Sequence, residues 1–351
     1  MQPQTTWQPI LSGAPATSAW DAISAIARDL RQKPIDNASL AGGDAGLALF
    51  YAYLAEARPN EGYDEDAARH LEAAIDALAN TPMLPGLYAG FTGIAFAAEL
   101  LQGDPSVPEE EDPAHAIDEA LLEHLDQPKW EDDYDLISGL VGYGVYALER
   151  MPRLSAARCL ERILDHLEAS ARRVDGGVSW WTAPELLPEW QREVHPEGYY
   201  NLGLAHGVPG VMGLLGRMIG AGVAASRARA LLEGMTSWLL ALRMPKAGAR
   251  FGSVCRPGLG PSPSRAAWCY GDPGVAAALL VAGRAVNDPA ILGAARELTF
   301  ECTARTAEES GVRDAGICHG AVGLAHLYLR WHQAGDARFL EPAREWFERR
   351  L

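Results

Sequence analysis

Segments that are apolar on nearly every side recur along the chain, and each begins with two glycines spaced Gly-x-x-Gly. There are six copies: GDAGLALFYAYL from Gly43, GFTGIAFAAELL from Gly90, GLVGYGVYALER from Gly139, GVPGVMGLLGRM from Gly207, GDPGVAAALLVA from Gly271 and GAVGLAHLYLRW from Gly320. A helix that is apolar all round is typically buried on most of its sides. The pattern therefore predicts six inner helices, each opened by glycine.

Between these copies lie segments with one apolar stripe and one charged face, which is the pattern of helices at a protein surface. They span residues 64–80, 154–173, 224–242 and 288–306, with weaker examples at 18–31, 114–125 and 338–350. Outer and inner helices that alternate over six repeats predict an all-α fold, an α/α toroid of two concentric rings, in which the seventh outer helix covers the closure. We expect a single domain over residues 1–351.

The glycines have a physical role at the start of the inner helices. Without a Cβ, they let the backbone turn sharply and approach its neighbours closely. We expect the six helix N-termini to gather at one end, where unpaired N–H groups favour anions and thiolates. The alternative is that the glycine pairs only pack small residues together, which suffices for the first two copies.

The composition of the chain indicates which binding partners and which cellular compartment to expect. The chain of 351 residues is 48% apolar, which is enough for a sizeable core, and its formal net charge is −16. An acidic chain does not neutralise phosphates, so we expect no nucleic-acid partner. No stretch reaches the roughly 20 apolar residues of a membrane span, and the N-terminus lacks a basic flank before an apolar core. These features predict a cytoplasmic protein without a transmembrane segment.

Polar residues stand beside the glycines only in the last four copies, and they occupy equivalent places. They lie directly before the first glycine (His206, Tyr270, His319), one residue further back (Cys269, Cys318) or four residues before it (Asp135). Equivalent positions of a closed ring converge in space. We therefore expect two cysteines and at least one histidine to meet at one mouth of the ring.

Two thiolates and one imidazole form a three-ligand set with an open fourth position, which is how catalytic zinc is held. We predict Cys269, Cys318 and His319 as the ligands of one Zn²⁺ per chain. Spacing alone leaves two alternatives open. In the first, His206 is the fourth ligand of a closed site, and in the second, two buried cysteines and a histidine meet by chance. The odd number of cysteines and the absence of an export signal argue against a disulfide framework. The remaining cysteines are predicted to be structural: Cys159, Cys255 and Cys302.

Three short motifs carry a family resemblance: AHG in the fourth copy, WCYG in the fifth and CHG in the sixth. With the six glycine pairs, from about Gly42 to Leu329, they resemble the lanthionine synthetase C family, the LanC lanthipeptide cyclases and their LanC-like relatives. The resemblance implies an α/α toroid that binds zinc through the cysteine of WCYG and the Cys-His of CHG. It also implies closure of thioether rings by addition of a peptide cysteine to dehydroalanine or dehydrobutyrine. The implied partners are a dehydrated precursor peptide, a dehydratase and an export transporter.

The resemblance also assigns active-site roles outside the metal ligands. It makes His206 the acid/base, and it adds Asp135, Arg265 and Tyr270 to the site. The chemistry agrees, because addition to a dehydro-residue places negative charge on the carbonyl oxygen and leaves a carbon that needs a proton. Arg265 can supply the cation and His206 the proton, while Asp135 can orient the imidazole. The alternatives are that Arg265 pairs with a surface carboxylate, that Asp135 caps a helix and that Tyr270 only packs.

Several family cyclases are longer and carry an inserted accessory domain, for which this chain leaves no room. Nor do we expect a fused dehydratase or kinase domain before the toroid. The longest segment between copies, residues 175–200, holds three tryptophans and two tyrosines that either line a substrate channel or cover the edge of the toroid.

Three other functions compete with the cyclase. A LanC-like enzyme would add glutathione or another thiol to dehydroamino acids, and a non-catalytic zinc-stabilised scaffold would only bind peptide. Retention of His206, Arg265 and Tyr270 counts against the scaffold. A toroid glycosidase would need two carboxylates at the mouth, and only Asp135 stands at a repeat motif.

Overall fold

The computed structural model describes residues 9–245, 248–256, 258 and 262–349, and helices dominate it. In chain order the helices are α1 (Gly13–Gln32), α2 (Asp44–Ala57), α3 (Tyr63–Asn80), α4 (Phe91–Gln102), α5 (His115–Leu125), α6 (Leu140–Glu149), α7 (Leu154–Ser170), α8 (Glu189–Val194), α9 (Val208–Ala221), α10 (Ala225–Ala241), α11 (Asp272–Val286), α12 (Pro289–Thr303), α13 (Ala307–Ser310), α14 (Ala321–Gln333) and α15 (Leu340–Glu348). Within these ranges no helix combines the length and apolarity of a membrane span.

Each glycine pair opens an apolar helix, as predicted. The first glycine of the pair is the N-cap residue of α2, α4, α6, α9, α11 and α14. The amphipathic segments form α1, α3, α5, α7, α10, α12 and α15, with ends that differ from the predicted ones by a few residues. The alternation of inner and outer helices is thus confirmed.

The helix predicted over 154–173 is too long at its C-terminal end. Helix α7 ends at Ser170, and the chain continues as a hairpin of β1 (Arg172–Val174) and β2 (Gly177–Ser179). Asp175 and Gly176 form its two-residue turn, in which Gly176 has φ +83°. Asp-Gly between two short strands favours this turn, because the turn requires positive φ. Two further strands, β3 (Trp181–Thr182) and β4 (Tyr199–Asn201), pair antiparallel.

The chain divides into two compact units. The terminal unit comprises Met1–Gln32, Leu202–Leu204 and Leu242–Leu351, and the central unit comprises Lys33–Asn201 and Ala205–Ala241. In the central unit the inner helices α2, α4, α6 and α9 pack in succession, and outer helices cover them. In the terminal unit α11 packs on α12, and α14 packs on α15. The single domain over residues 1–351 stays a prediction.

The six residues before the first glycine of each copy form what we call its turn segment. Backbone hydrogen bonds join successive turn segments in the central unit: Ala41 N–H to Tyr88 O (3.0 Å), Tyr88 N–H to Ile137 O (3.2 Å) and Leu136 N–H to Ala205 O (3.1 Å). In the terminal unit, Trp268 N–H donates to Cys318 O at 3.2 Å. Within each unit, therefore, the inner helices begin side by side at one end.

Both glycines of a copy are needed because the turn segment folds back against them. A Cβ on Gly90 would lie 1.9 Å from the carbonyl oxygen of Leu84, and one on Gly93 would lie 1.8 Å from that of Leu87. The same collision occurs in the first copy, where a Cβ on Gly43 would lie 2.0 Å from Asn37 O. The predicted close approach is confirmed, and the alternative of mere small-residue packing is wrong for these copies.

Candidate functional site

The turn segments of the fifth and sixth copies bring three metal-competent side chains together in the terminal unit. Cys269 lies two residues before the N-cap residue of α11, and Cys318 and His319 lie directly before the N-cap residue of α14. The potential ligand atoms of these three residues all lie within 4.8 Å of one another. The hydrogen bond from Trp268 to Cys318 fixes the two turn segments to each other.

The donor set fits zinc. Two sulfurs and one imidazole nitrogen are ligands that zinc prefers, and tetrahedral coordination places such atoms about 3.5–3.8 Å apart. The observed separations, below 4.8 Å, need only small side-chain adjustments to reach that geometry. Among the described residues this group has three members, so a fourth ligand position stays available for another molecule.

The Cys318 thiol interacts with Cys269 and with two charged neighbours. Burial raises the pKa of the Cys318 thiol to about 12, with a further rise from its hydrogen bond with Cys269. The Arg265 cation acts in the opposite direction, and Asp314 adds to the rise. A divalent cation at this place would favour both thiolates, because coordination deprotonates thiols.

The central unit holds a paired histidine and aspartate. His206 Nδ1 lies 2.5 Å from Asp135 Oδ2, and the other carboxylate oxygen of Asp135 accepts from Ser138 N–H at 2.8 Å. The Asp135 side chain is 9% exposed, whereas that of His206 is 44% exposed. A carboxylate in this position favours the tautomer in which Nδ1 carries the proton and donates it to Asp135. Asp135 is not the N-cap residue of α6, which is Gly139.

The charges of this pair act on a second carboxylate, that of Asp133. Burial and the neighbouring Asp135 charge raise the pKa of Asp133 to about 6, while His206 lowers it. Sequence reasoning missed Asp133, although it lies six residues before Gly139 in the turn segment of the third copy.

Arg265 and Tyr270 lie on either side of Cys269 in the sequence. Arg265 is exposed, and none of the carboxylates in the described part of the chain forms an ion pair with it. The surface ion pair considered above is therefore not observed. The Tyr270 ring packs against Gly203, where a Cβ would lie 2.6 Å from the ring atoms. Tyr270 thus packs, as its alternative reading held, and its role in chemistry stays a prediction.

The aromatic segment of residues 175–200 holds three tryptophans in different surroundings, and its two suggested roles, channel wall and edge cover, stay predictions. Trp180 is only 1% exposed and donates its ring N–H to Leu167 O at 2.9 Å, so it covers the core. Trp180 and Trp181 both line a cavity of about 460 Å³, together with Trp130 and Arg172. The Arg172 guanidinium lies 5.2 Å from the Trp181 ring centroid. Trp190, by contrast, is 66% exposed.

The remaining cysteines differ from the metal group. Cys159 and Cys302 are buried in helices, and burial raises the pKa of each thiol to about 12. Cys255 is half-buried and stands outside the metal group.

The chain matches a known protein family over most of its length. The family described as lanthionine synthetase C-like protein matches residues 34–344. The chain belongs to this family. The predicted resemblance is thereby confirmed.

One curated sequence and one solved structure are also similar to this lanthionine synthetase C-like chain. It is 25% identical to the nisin biosynthesis protein NisC of Lactococcus lactis subsp. lactis over 318 residues, which cover 82% of this chain and 72% of the relative. A solved structure of nisin cyclase matches with a TM-score of 0.78 at 21% identity, covering 94% of this chain and 86% of that chain. This likeness of fold confirms the predicted class, the all-α α/α toroid.

Proposed function

We propose that this protein is a zinc-dependent cyclase that forms lanthionine and methyllanthionine rings in a dehydrated precursor peptide. The observation that carries the proposal is the group of Cys269, Cys318 and His319, a zinc-type donor set with three protein ligands. Three protein ligands are typical of catalytic zinc, since structural sites use four. Membership of the lanthionine synthetase C-like family and the likeness to nisin cyclase support the reaction class.

The reaction adds a peptide cysteine to the Cβ of dehydroalanine or dehydrobutyrine. Zinc held by these ligands would keep the substrate sulfur as a thiolate at neutral pH. The sulfur forms a bond to Cβ, the π electrons of the dehydro-residue move onto its carbonyl oxygen, and Cα then takes up a proton. Nothing leaves, so the protein has to orient two groups, stabilise an oxyanion and deliver one proton.

His206 is proposed to deliver that proton. Its Nδ1 is engaged by Asp135, and 44% of its side chain is accessible to a substrate. The Asp135 carboxylate would stabilise the protonated imidazole and hold the ring so that Nε2 faces the substrate. Arg265, which has a cationic head without a carboxylate partner in the described residues, is proposed to stabilise the developing oxyanion. Tyr270 is proposed to position the substrate beside Cys269.

The peptide also needs contacts away from the reacting atoms. We propose that the cavity lined by Trp181, Trp130 and Arg172 receives a side chain of the precursor peptide. Its rim, which includes Asp132, belongs to the same stretch of chain as Asp135. The proposed partners are completed by a dehydratase and an export transporter, and the proposed location is the cytoplasm, where the precursor is made.

The decisive experiment is incubation of the protein with a dehydrated candidate precursor, followed by alkylation of free thiols and mass spectrometry. Each ring closed removes one free thiol without changing the peptide mass, so the number of alkyl groups should fall with time. Parallel reactions contain glutathione. Unchanged thiols together with glutathione adducts would replace the cyclase by the thiol-adding enzyme, and unchanged thiols without adducts would leave only a peptide-binding scaffold.

A further inference from the structure

The carboxylate of Asp314 stands next to the metal group and has no part in the proposed chemistry described so far. Its Oδ2 lies 3.4 Å from Nε2 of His319, and both side chains are about half exposed, at 49% and 44%. The Asp314 charge also acts on the Cys318 thiol. Asp314 therefore faces two of the three residues of the metal group.

Asp314 is anchored by the turn segment of the sixth copy. Its Oδ1 accepts from Gly316 N–H at 2.7 Å, and its carbonyl oxygen accepts from Ala321 N–H at 2.9 Å. Because Oδ1 is held by the backbone, the second oxygen, Oδ2, has a fixed direction. It is this oxygen that faces His319.

The first copy shows that the turn itself does not need a carboxylate. At the equivalent place, Asn37 accepts from Ser39 N–H through its Oδ1 at 2.8 Å, and Asp44 N–H donates to Asn37 O at 2.8 Å. These are the same two bonds that Asp314 makes. The first copy has no metal-competent side chain before its glycine, since Gly42 stands where His319 stands in the sixth.

We infer that Asp314 is a positioning residue of the metal centre, which accepts a hydrogen bond from Nε2–H of His319 and leaves Nδ1 to bind zinc. A carboxylate behind a metal-binding histidine fixes the tautomer and the ring orientation and makes the ligating nitrogen more basic. This inference rests on the metal centre of the proposed function, but it does not depend on which thiol is added.

The test is the affinity of the purified full-length protein for Zn²⁺, measured by competition with a chromophoric chelator in Asp314→Asn. Asparagine preserves the turn, as Asn37 shows, but it turns an N–H toward Nε2. That N–H donates to Nε2 and shifts the ring proton to Nδ1, the atom needed by the metal. We expect the dissociation constant for zinc to rise by about 10–100-fold, with unchanged circular dichroism.

Two controls separate positioning from stability and from direct ligation. Asn37→Ala removes the same turn bond in the first copy and should leave zinc affinity unchanged. The Co²⁺ complex of Asp314→Asn should keep the visible absorption intensity of the wild-type complex, because the number of protein ligands is the same. A large change in that intensity would make Asp314 a ligand and overturn its positioning role.

The possible failures are distinguishable. Wild-type binding with an affinity that Asp314→Asn leaves within about twofold would contradict the role of Asp314 alone, since positioning carboxylates contribute at least about tenfold. A wild-type protein that does not bind zinc would overturn the metal centre itself. Weakened zinc binding in a protein that closes no rings would support Asp314 and refute the cyclase.

Discussion

The turn segments before α2 and before α14 have the same backbone and different chemistry. In both, a side-chain oxygen six residues before the glycine accepts a backbone N–H, and in both the glycine closely approaches its own turn. The first carries Ala41 and Gly42 where the last carries Cys318 and His319. The first glycine of each copy therefore builds the turn, whereas the chemistry depends on the other residues of the turn segment. Changes to the two classes of residue should therefore have separable effects.

The largest effect on function is expected in the fourth copy. His206→Asn retains an N–H donor for Asp135 but cannot transfer a proton, and loss of a general acid typically costs about 10²–10⁴-fold in rate. We expect ring closure to slow by that factor while zinc content is unchanged. The control is His195→Ala, which changes a histidine of the segment 175–200 and should cyclise at the wild-type rate. Loss of zinc from His206→Asn would instead make His206 a ligand.

The largest effect on stability is expected in a copy without chemistry. Gly90→Ala would place a Cβ 1.9 Å from Leu84 O, so the turn must open. We expect the free energy of unfolding in urea to fall by about 2–4 kcal/mol. The matched control is Gly213→Ala in α9, where a Cβ meets no atom within 4 Å and alanine should stabilise the helix by about 0.5–1 kcal/mol. Equal losses in both variants would refute the role assigned to the glycine pairs.

A smaller effect is expected at the aromatic cavity. Trp181→Ala removes a cavity wall, whereas Trp190→Ala removes an exposed ring of the same segment that lies outside the cavity. With a dehydrated precursor as substrate, we expect Trp181→Ala to raise KM about tenfold with little change in kcat, since this wall contributes only binding. Trp190→Ala should match the wild type. A fall in kcat alone would place Trp181 in the chemical step.

The smallest expected effect is on the pH dependence of stability. The pKa of Asp133 is raised above the ordinary value of 3.8 to about 6, so the folded state holds a proton that the unfolded chain releases. Ionisation of Asp133 therefore costs stability as pH rises from about 4 to about 6 and above. Asp133→Asn should raise the free energy of unfolding at pH 7.5 by about 1 kcal/mol, a value reduced because Asp133 is partly exposed. Near pH 4 the substitution should have no effect on stability. Urea unfolding at both pH values measures this. An equal gain at both would exclude the charge as the cause.

Part of the fold and part of the candidate site could be predicted from the sequence. The inner helices and their glycine caps were predictable, because glycine spacing and apolar runs depend on local backbone geometry. The pairing of Asp135 with His206 was also predictable, since both stand in the turn segments of successive copies, which lie side by side. The hairpin after α7 was missed although Asp175-Gly176 signals it, because the charged stripe of the helix continues into β1.

Two carboxylates near the candidate site were missed for a different reason. Asp133 and Asp314 both stand six residues before a glycine, and only the folded turn brings that position back beside the residues that precede the glycine. The different burial of Trp180 and Trp181 could not be predicted either. Trp180 is buried and donates a hydrogen bond to Leu167 O of α7, whereas Trp181 is half-buried, and only the tertiary packing decides this difference.

The central claim is that the turn segments of the fifth and sixth copies form a zinc centre. Elemental analysis of the purified wild-type protein, Cys318→Ala and Cys255→Ala tests it directly. We predict about one zinc per chain in the wild type and in Cys255→Ala, whose cysteine lies outside the metal group, and none in Cys318→Ala. A correctly folded wild-type protein that contains no zinc and takes up none when it is supplied would contradict the account.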